Sequence, residues 1–329
     1  MASKNELKIC GNSAPFSNMV DRFVNGGYKD DSVIKNMEQM AEIYAEIGAD
    51  GFCTGYDENS MDPIKLKEIC EKYGLALATC APDNYIDKKW KYGTFTARDP
   101  QIRKDIIKRG KEAMDYAAAC GAADVMFWLA HDGYDYPFQD NYDTQWKYLV
   151  EGIQEVASYR KDVIVTLEYK KFEPLTHQYA SDTGTVLLLA QETGCENVKV
   201  IVDYGHALFG GENPAESAAL ANRFGRLQTI HLNDNWGKAD DDLIFGSVTF
   251  WQALEFFYVL NDMGFDGYYL MDNWPARMDG YDSVVEHIAF ANQVMKLAKS
   301  LPKDEIRALQ AQDGNTPSLS KLLRSYVLK

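Results

Sequence analysis

Short apolar runs alternate with longer amphipathic stretches along the whole chain. Runs of strand length occur at 7–11, 51–54, 76–80, 125–129, 163–167, 198–202, 227–232 and 268–271. Near-continuous hydrophobic runs of this kind mark parallel strands covered on both faces. Between them lie segments with helical spacing. The first, 32–47, places Ile34, Met37, Met40, Ala41 and Ala45 near one face. The others are 63–73, 100–120, 143–158, 183–193, 214–224, 249–263 and 281–300. Pro63 stands in a first turn, where its missing donor is not needed. Gly48, Gly74, Gly121, Gly194, Gly225 and Gly264 follow helical segments, where a left-handed cap favours glycine. Strands alternating with helices imply a parallel sheet with right-handed crossovers. Eight such units imply a closed (β/α)8 TIM barrel in the α/β class. The open doubly wound sheet is disfavoured, because no Gly-x-Gly-x-x-Gly follows any strand.

The barrel is expected to occupy 1–301, with 302–329 as a C-terminal extension. That tail carries Ile306, Leu309, Leu319, Leu322, Leu323 and Val327 around a break at 314–317. It is expected either to pack under the barrel or to cross to a neighbouring subunit of a homodimer or homotetramer. A chain of 329 residues suits one such barrel.

Charge narrows the partners. The formal net charge of −15 argues against nucleic-acid binding, which draws on clustered Lys and Arg. It also argues against docking to an anionic membrane. The stretch 1–7 is polar, so no signal peptide is expected, and no apolar run approaches a membrane span. The six cysteines are scattered without Cys-x-x-Cys pairing. They are expected to be thiols in a reducing cytoplasm.

The candidate chemistry sits where a TIM barrel gathers its active site, at the C-terminal strand ends. The fifth strand candidate leads into Glu168 and Lys170, and the sixth into Asp203 and His206. The seventh delivers His231, followed by Asp234 and the triplet Asp240, Asp241 and Asp242. The eighth leads into Asp272. Singly, each has a plain structural reading as a helix cap, turn former or solvated acidic loop. Together, unpaired carboxylates at adjacent strand ends would be strongly destabilising in a half-buried mouth. A divalent cation resolves this, and a mixed O/N donor set suits Mg, Mn or Co.

These residues also carry a family resemblance. Leu167-Glu168-x-Lys170-x-x-Glu173-Pro174, Asp203-x-x-His206, His231-Leu-Asn-Asp-Asn and Asp240-x-Asp242-Leu-Ile-Phe-Gly resemble motifs of the xylose-isomerase-like TIM barrels. Within that family the chain is similar to the ketol isomerases that act on xylose and rhamnose. The resemblance also takes in Phe95 to Asp99 with Arg103, Trp128, and Asp272 with Trp274, Arg277 and Asp279. It implies two divalent cations and a small-molecule sugar. Glu168, Asp203, His231 and Asp272 would hold one ion; Asp203 would bridge to a second held by His206, Asp240 and Asp242. The implied catalytic set is Lys170, Glu168 and Asp240, with Lys170 polarising a carbonyl. Tyr56, Trp128, His131 and His206 would meet the substrate. The chain departs from the xylose enzymes after the second strand. Their ring-opening His is absent from 54–58, so ring opening falls to Tyr56, Asp57 or water, or does not occur.

The resulting expectation is a metal-dependent aldose–ketose isomerase. A ketose 3-epimerase is the alternative, but its relatives use a Glu where this chain has Asp272, and Asp240 with Asp242 would have no purpose in a one-metal site. A carbon–glycoside-cleaving enzyme with His131 as base is a further alternative. An abasic-site-type nuclease fits poorly, because it wants histidines at 240–242 and a basic surface. A noncatalytic binding module would not need a complete ligand set with Lys170 beside it.

Overall fold

The computed structural model describes residues 5–328; of the polar stretch 1–7, residues 1–4 lie outside the described residues. Ten strands follow in order. They are β1 Ile9–Gly11, β2 Gly51–Tyr56, β3 Ala76–Pro82, β4 Asp124–Trp128, β5 Gly133–Tyr134, β6 Ile164–Glu168, β7 His177–Gln178, β8 Val198–Asp203, β9 Leu227–Leu232 and β10 Tyr269–Met271. Eight of them close into a barrel in the order β1-β10-β9-β8-β6-β4-β3-β2, and every recorded pairing within it is parallel. The two short extra strands, β5 and β7, pair antiparallel and clasp the loops that leave β4 and β6.

The helices are α1 Met37–Glu46, α2 Pro63–Tyr73, α3 Pro100–Cys120, α4 Tyr142–Tyr159, α5 Thr183–Glu192, α6 Tyr204–Gly210, α7 Pro214–Arg223, α8 Phe250–Asp262, α9 Gly280–Ser300, α10 Lys303–Gln310 and α11 Thr316–Val327. The six glycines expected as caps all have positive φ, from 64° at Gly225 to 83° at Gly48. The first helix is shorter than its apolar spacing implies. It starts at Met37, because Asn36 accepts from Gln39 N while the Gln39 side chain accepts from Asn36 N, a reciprocal cap that fixes the start. Ile34 is left exposed ahead of it.

Strand alternation sorts the side chains into two populations. Val125, Phe127, Val165, Leu167, Val200, Val202, Ile230, Leu232, Tyr269 and Met271 are buried in the core between barrel and helices. Each such large side chain contributes about 1.5–3 kcal/mol. The residues between and just after them face the barrel lumen: Asp124, Met126 and Trp128; Thr166 and Glu168; Ile201 and Asp203; Thr229 and His231; Leu270 and Asp272. One periodicity thus both builds the core and delivers the polar residues to one end of the lumen.

The tail forms α10 and α11 beyond Ser300. Ile306 is buried, and Arg307 and Lys303 reach Asp262 at 2.7 and 3.5 Å. A cavity of about 480 Å³ separates these helices from α8. All six cysteines are free thiols. Among the described residues, no helix is long and apolar enough to cross a membrane.

Candidate metal centre and active site

Glu168 ends β6, Asp203 ends β8, His231 lies near the end of β9, and Asp272 follows β10. One ligand atom from each lies within 4.8 Å of all the others. His231 Nδ1 is 3.3 Å from Glu168 Oε1, 3.4 Å from Asp272 Oδ2 and 3.8 Å from Asp203 Oδ2. Neither ring nitrogen of His231 has a hydrogen-bond partner, and both are buried. Donors bound to one small divalent ion at about 2.1 Å stand about 3 Å apart, close to these spacings. Buried carboxylates around an imidazole nitrogen without a hydrogen bond therefore fit a divalent cation.

Asp203 shows the electrostatic load. Burial pushes its carboxyl up to about 7; His206 pulls it down, while Glu168, Asp240 and Asp272 push it further up. It is held by His206 N at 2.8 Å and by Asn233 Nδ2 at 3.1 and 2.9 Å. The backbone bond makes Asp203 the N-cap of α6. Gly205 is required there, because a Cβ would collide with Asn233 Oδ1. Asn12 Nδ2 steadies Asp272 Oδ1 at 3.2 Å.

His206, Asp240 and Asp242 lie alongside. His206 Nδ1 is 3.0 Å from the Tyr169 carbonyl, to which it donates. That leaves Nε2 facing Asp240 Oδ2 at 3.1 Å, so a proton or a cation must lie between the two acceptors. Burial would depress the His206 imidazole, but Asp203, Asp240 and Glu168 outweigh it and push it up to about 9. Asp240 Oδ2 also receives Lys170 Nζ at 2.8 Å, while Oδ1 is buried without a partner. Burial would raise the Asp240 carboxyl, but His206 and Lys170 hold it well below the usual range. Burial drives Asp242 well above that range, reinforced by Asp240, Asp272 and Asp203. Asp242 has φ 47°, left-handed for a residue with a side chain, and its carbonyl accepts from Trp274 N at 2.9 Å. Among the described residues, only the Glu168, Asp203, His231 and Asp272 set converges tightly enough to surround one ion.

Lys170 is buried and its Nζ lies 5.2 Å from the centre of the Trp128 ring. Burial would depress its ammonium, but Asp240, Asp242 and Glu173 outweigh this and raise it. Its neighbour Lys171 points away and reaches the Gly210 carbonyl at 2.7 Å. The mouth opens into a cavity of about 690 Å³ lined by Tyr56, Tyr85, Trp128, Lys170, His206 and Trp274 among others. The substrate contact expected of His131 is not supported by its placement. It is absent from that lining, and its Nε2 is occupied by the Tyr85 carbonyl at 3.1 Å.

Asp234 has a role that its place in the sequence did not disclose. It is fully buried and accepts from Val248 N, Thr249 N and Thr249 Oγ1 at 2.9, 3.0 and 2.7 Å. It thereby pins the far end of the loop that carries Asp240 and Asp242. Losing one such acceptor strands buried donors at about 1–3 kcal/mol each. Asp234→Ala is expected to reduce turnover and free the loop, while the four-residue cluster still takes up metal. Metal titration alongside proteolysis within 235–248 checks this; unchanged proteolysis would show that the loop does not depend on Asp234.

Comparison with known proteins agrees with this geometry. The family model described as xylose isomerase-like TIM barrel matches residues 31–312. Xylose isomerase of Thermus thermophilus is 25% identical over 268 residues, which are 80% of this chain and 67% of that protein. Xylose isomerase of Agrobacterium fabrum is 27% identical over 225 residues, which are 65% of this chain and 51% of that protein. The chain thus spans between about half and two thirds of these curated relatives' length. Among solved structures, an L-ribulose 3-epimerase superposes with TM-score 0.67 at 13% identity, over 94% of this chain and 99% of that one. D-Psicose 3-epimerase from Clostridium cellulolyticum H10 gives 0.64 at 15% identity, over 87% and 99%. At such identities the likeness shows the fold alone. The family match, which extends over most of the chain, shows that this protein belongs to the xylose isomerase-like TIM barrel family.

Proposed function

We propose that this chain is a divalent-metal-dependent sugar isomerase that interconverts an aldose and a ketose. The observation that carries the reading is Lys170, a buried ammonium in the mouth beside a four-residue ligand cluster and over the Trp128 ring. A cation there has no purpose in ion binding. It is suited to an oxygen that becomes negative as hydrogen moves between two carbons.

Glu168, Asp203, His231 and Asp272 would hold one divalent ion, and His206, Asp240 and Asp242 would assist a second. Ions of the Mg, Mn or Co type supply Lewis-acid stabilisation to adjacent sugar oxygens when bound. Lys170, its Nζ fixed by Asp240 at 2.8 Å, would donate to the carbonyl oxygen. Trp128 offers an apolar face to C–H groups, and its Nε1 is a buried donor without a partner. Tyr85, packed against Trp128 at 4.9 Å, helps to close that wall against water. Lys170 is the only Lys or Arg lining the cavity among the described residues, which favours a free sugar over a phosphorylated one.

The test is a screen of chelator-stripped, metal-reloaded protein against aldose and ketose pairs. Exchange between C1 carbonyl and C2 carbonyl forms is expected. Inversion at C3 with no aldose formed would replace this reading by epimerisation. The double substitution Asp240→Ala with Asp242→Ala is expected to lower bound metal from two ions to one per chain and to abolish turnover. Full metal content and activity in that variant would rule out Asp240 and Asp242 as the holders of a second ion.

A further inference from the structure

Barrel lumens are ordinarily filled by branched apolar side chains. Here a carboxylate, Asp124, lies in the lumen and is only 1% exposed. Its Oδ1 accepts from Thr79 Oγ1 at 2.6 Å on the adjacent strand β3. Its Oδ2 accepts from Thr229 Oγ1 at 3.3 Å on β9. In the barrel order, β6 and β8 stand between β4 and β9, so the second bond crosses the lumen. Thr166 of β6 faces the same lumen and donates its hydroxyl to the Val125 carbonyl at 3.4 Å. Thr166 and Thr229 lie two residues before Glu168 and His231 on the same lumen-facing sides. Asp124 therefore occupies the layer beneath the ligand cluster.

Isolated carboxylates are not buried without strong reason, since hydroxyl donors offset only part of the desolvation. The layer above contains the matching need. His231 directs Nδ1 at three carboxylates, and its other nitrogen, Nε2, is buried without a partner. An imidazole that binds a cation through one nitrogen must carry its proton on the other, and that N–H normally meets a carboxylate, carbonyl or water. Asp124 already reaches Thr229, the lumen-facing residue directly below His231, and its charge acts on the His231 imidazole.

We infer that Asp124 is a positioning residue for His231: its carboxylate holds the imidazole with the proton on Nε2 and keeps Nδ1 open towards Glu168, Asp203 and Asp272. The inference rests on the reading that this cluster holds a divalent ion. Burial raises the Asp124 carboxyl to about 6, with Thr79, Thr229 and His231 opposing the rise, so the group is still an anion at neutral pH.

The experiment is calorimetric titration of Mn2+ into metal-free wild-type protein and Asp124→Asn. Imidazole nitrogen NMR of His231 is recorded on both Mg2+-loaded proteins, because without an ion Glu168 and Asp272 outweigh burial and raise the imidazole well above its usual range. Asn keeps the size and an acceptor for the threonines but loses the charge. A role limited to tying strands together would leave affinity and the Nε2 resonance unchanged. The inference expects affinity to fall 10- to 100-fold, the usual effect of losing such an outer partner, and the Nε2 resonance to shift as its anionic partner is lost. Wild-type affinity together with a wild-type Nε2 resonance in Asp124→Asn would overturn it. If Asp124→Asn does not fold, Thr229→Val carries the same comparison, because it removes the hydroxyl that holds the carboxylate beneath His231. A several-fold loss is expected there, and no loss overturns the inference. If the wild type itself takes up no Mn2+, the metal reading fails and this inference fails with it.

Discussion

Replacing Lys170 with methionine is expected to lower turnover by about two to three powers of ten, the usual scale for removing one donor to a developing oxyanion. The four-residue cluster should keep its ion, because Lys170 supplies none of its ligand atoms. Methionine retains the apolar stem against Trp128 and removes only the charge. Part of the loss comes through Asp240, which would then share its oxygen with His206 alone. Lys171→Met is the control. Its Nζ bonds the Gly210 carbonyl on the outer side, so its loss should change turnover by less than about twofold, in keeping with a replaceable surface contact. Steady-state kinetics with metal analysis separates the two variants. Equal small effects would remove the carbonyl-polarising role and the main reason to prefer aldose–ketose isomerisation.

That contrast between neighbours was legible before any coordinates, because alternation continues just past Glu168 and places Lys170 on the ligand side. The same rule marked Asp203, His231 and Asp272. Parallel strands buried on both faces read as apolar runs, so the polar residue at the end of each run stands out. What stayed hidden depends on loops and partners at long range. The helix α6 is only seven residues long and contains two glycines, which weaken any helical signal. Its cap, Asp203, is also a candidate ligand, and one side chain serves both roles. Asp234 sits three residues from His231, and nothing in its spacing distinguishes an anchor for Val248 and Thr249 from a ligand. His131 looked available because it follows β4, yet its ring is turned to a backbone carbonyl. Ile34 matched the apolar face of α1, although Asn36 and Gln39 carried the stronger signal for where that helix begins.

The other large effect is expected at Asp203, where function and stability pull in opposite directions. In the metal-free protein its carboxyl is pushed from 3.8 up to about 7, first by burial and then by Glu168, Asp240 and Asp272 against the pull of His206. The folded chain therefore retains a proton between about pH 4 and pH 7 that the unfolded chain has released. Stability from this group is fully present below about pH 4 and is lost as pH rises through 7. Asp203→Asn removes that dependence and still caps α6, since Asn is as good an N-cap as Asp. The metal-free variant is thus expected to melt above metal-free wild type at about pH 8, and the gap should close towards about pH 4. His287 gives the opposite slope, because burial pushes its imidazole down to about 3. It is the same in both proteins and cancels in the difference. Added Mn2+ should then reverse the ranking. Wild type gains about 2.7 kcal/mol at a hundredfold excess over Kd, whereas Asp203→Asn, lacking one of four ligands, gains little and turns over no sugar. Calorimetric melting of both proteins with and without metal measures all of this. A metal-free Asp203→Asn that melts below wild type at neutral pH would mean that the carboxylate is not electrostatically loaded in the apo state, and that the acidic cluster does not depend on a cation for its stability.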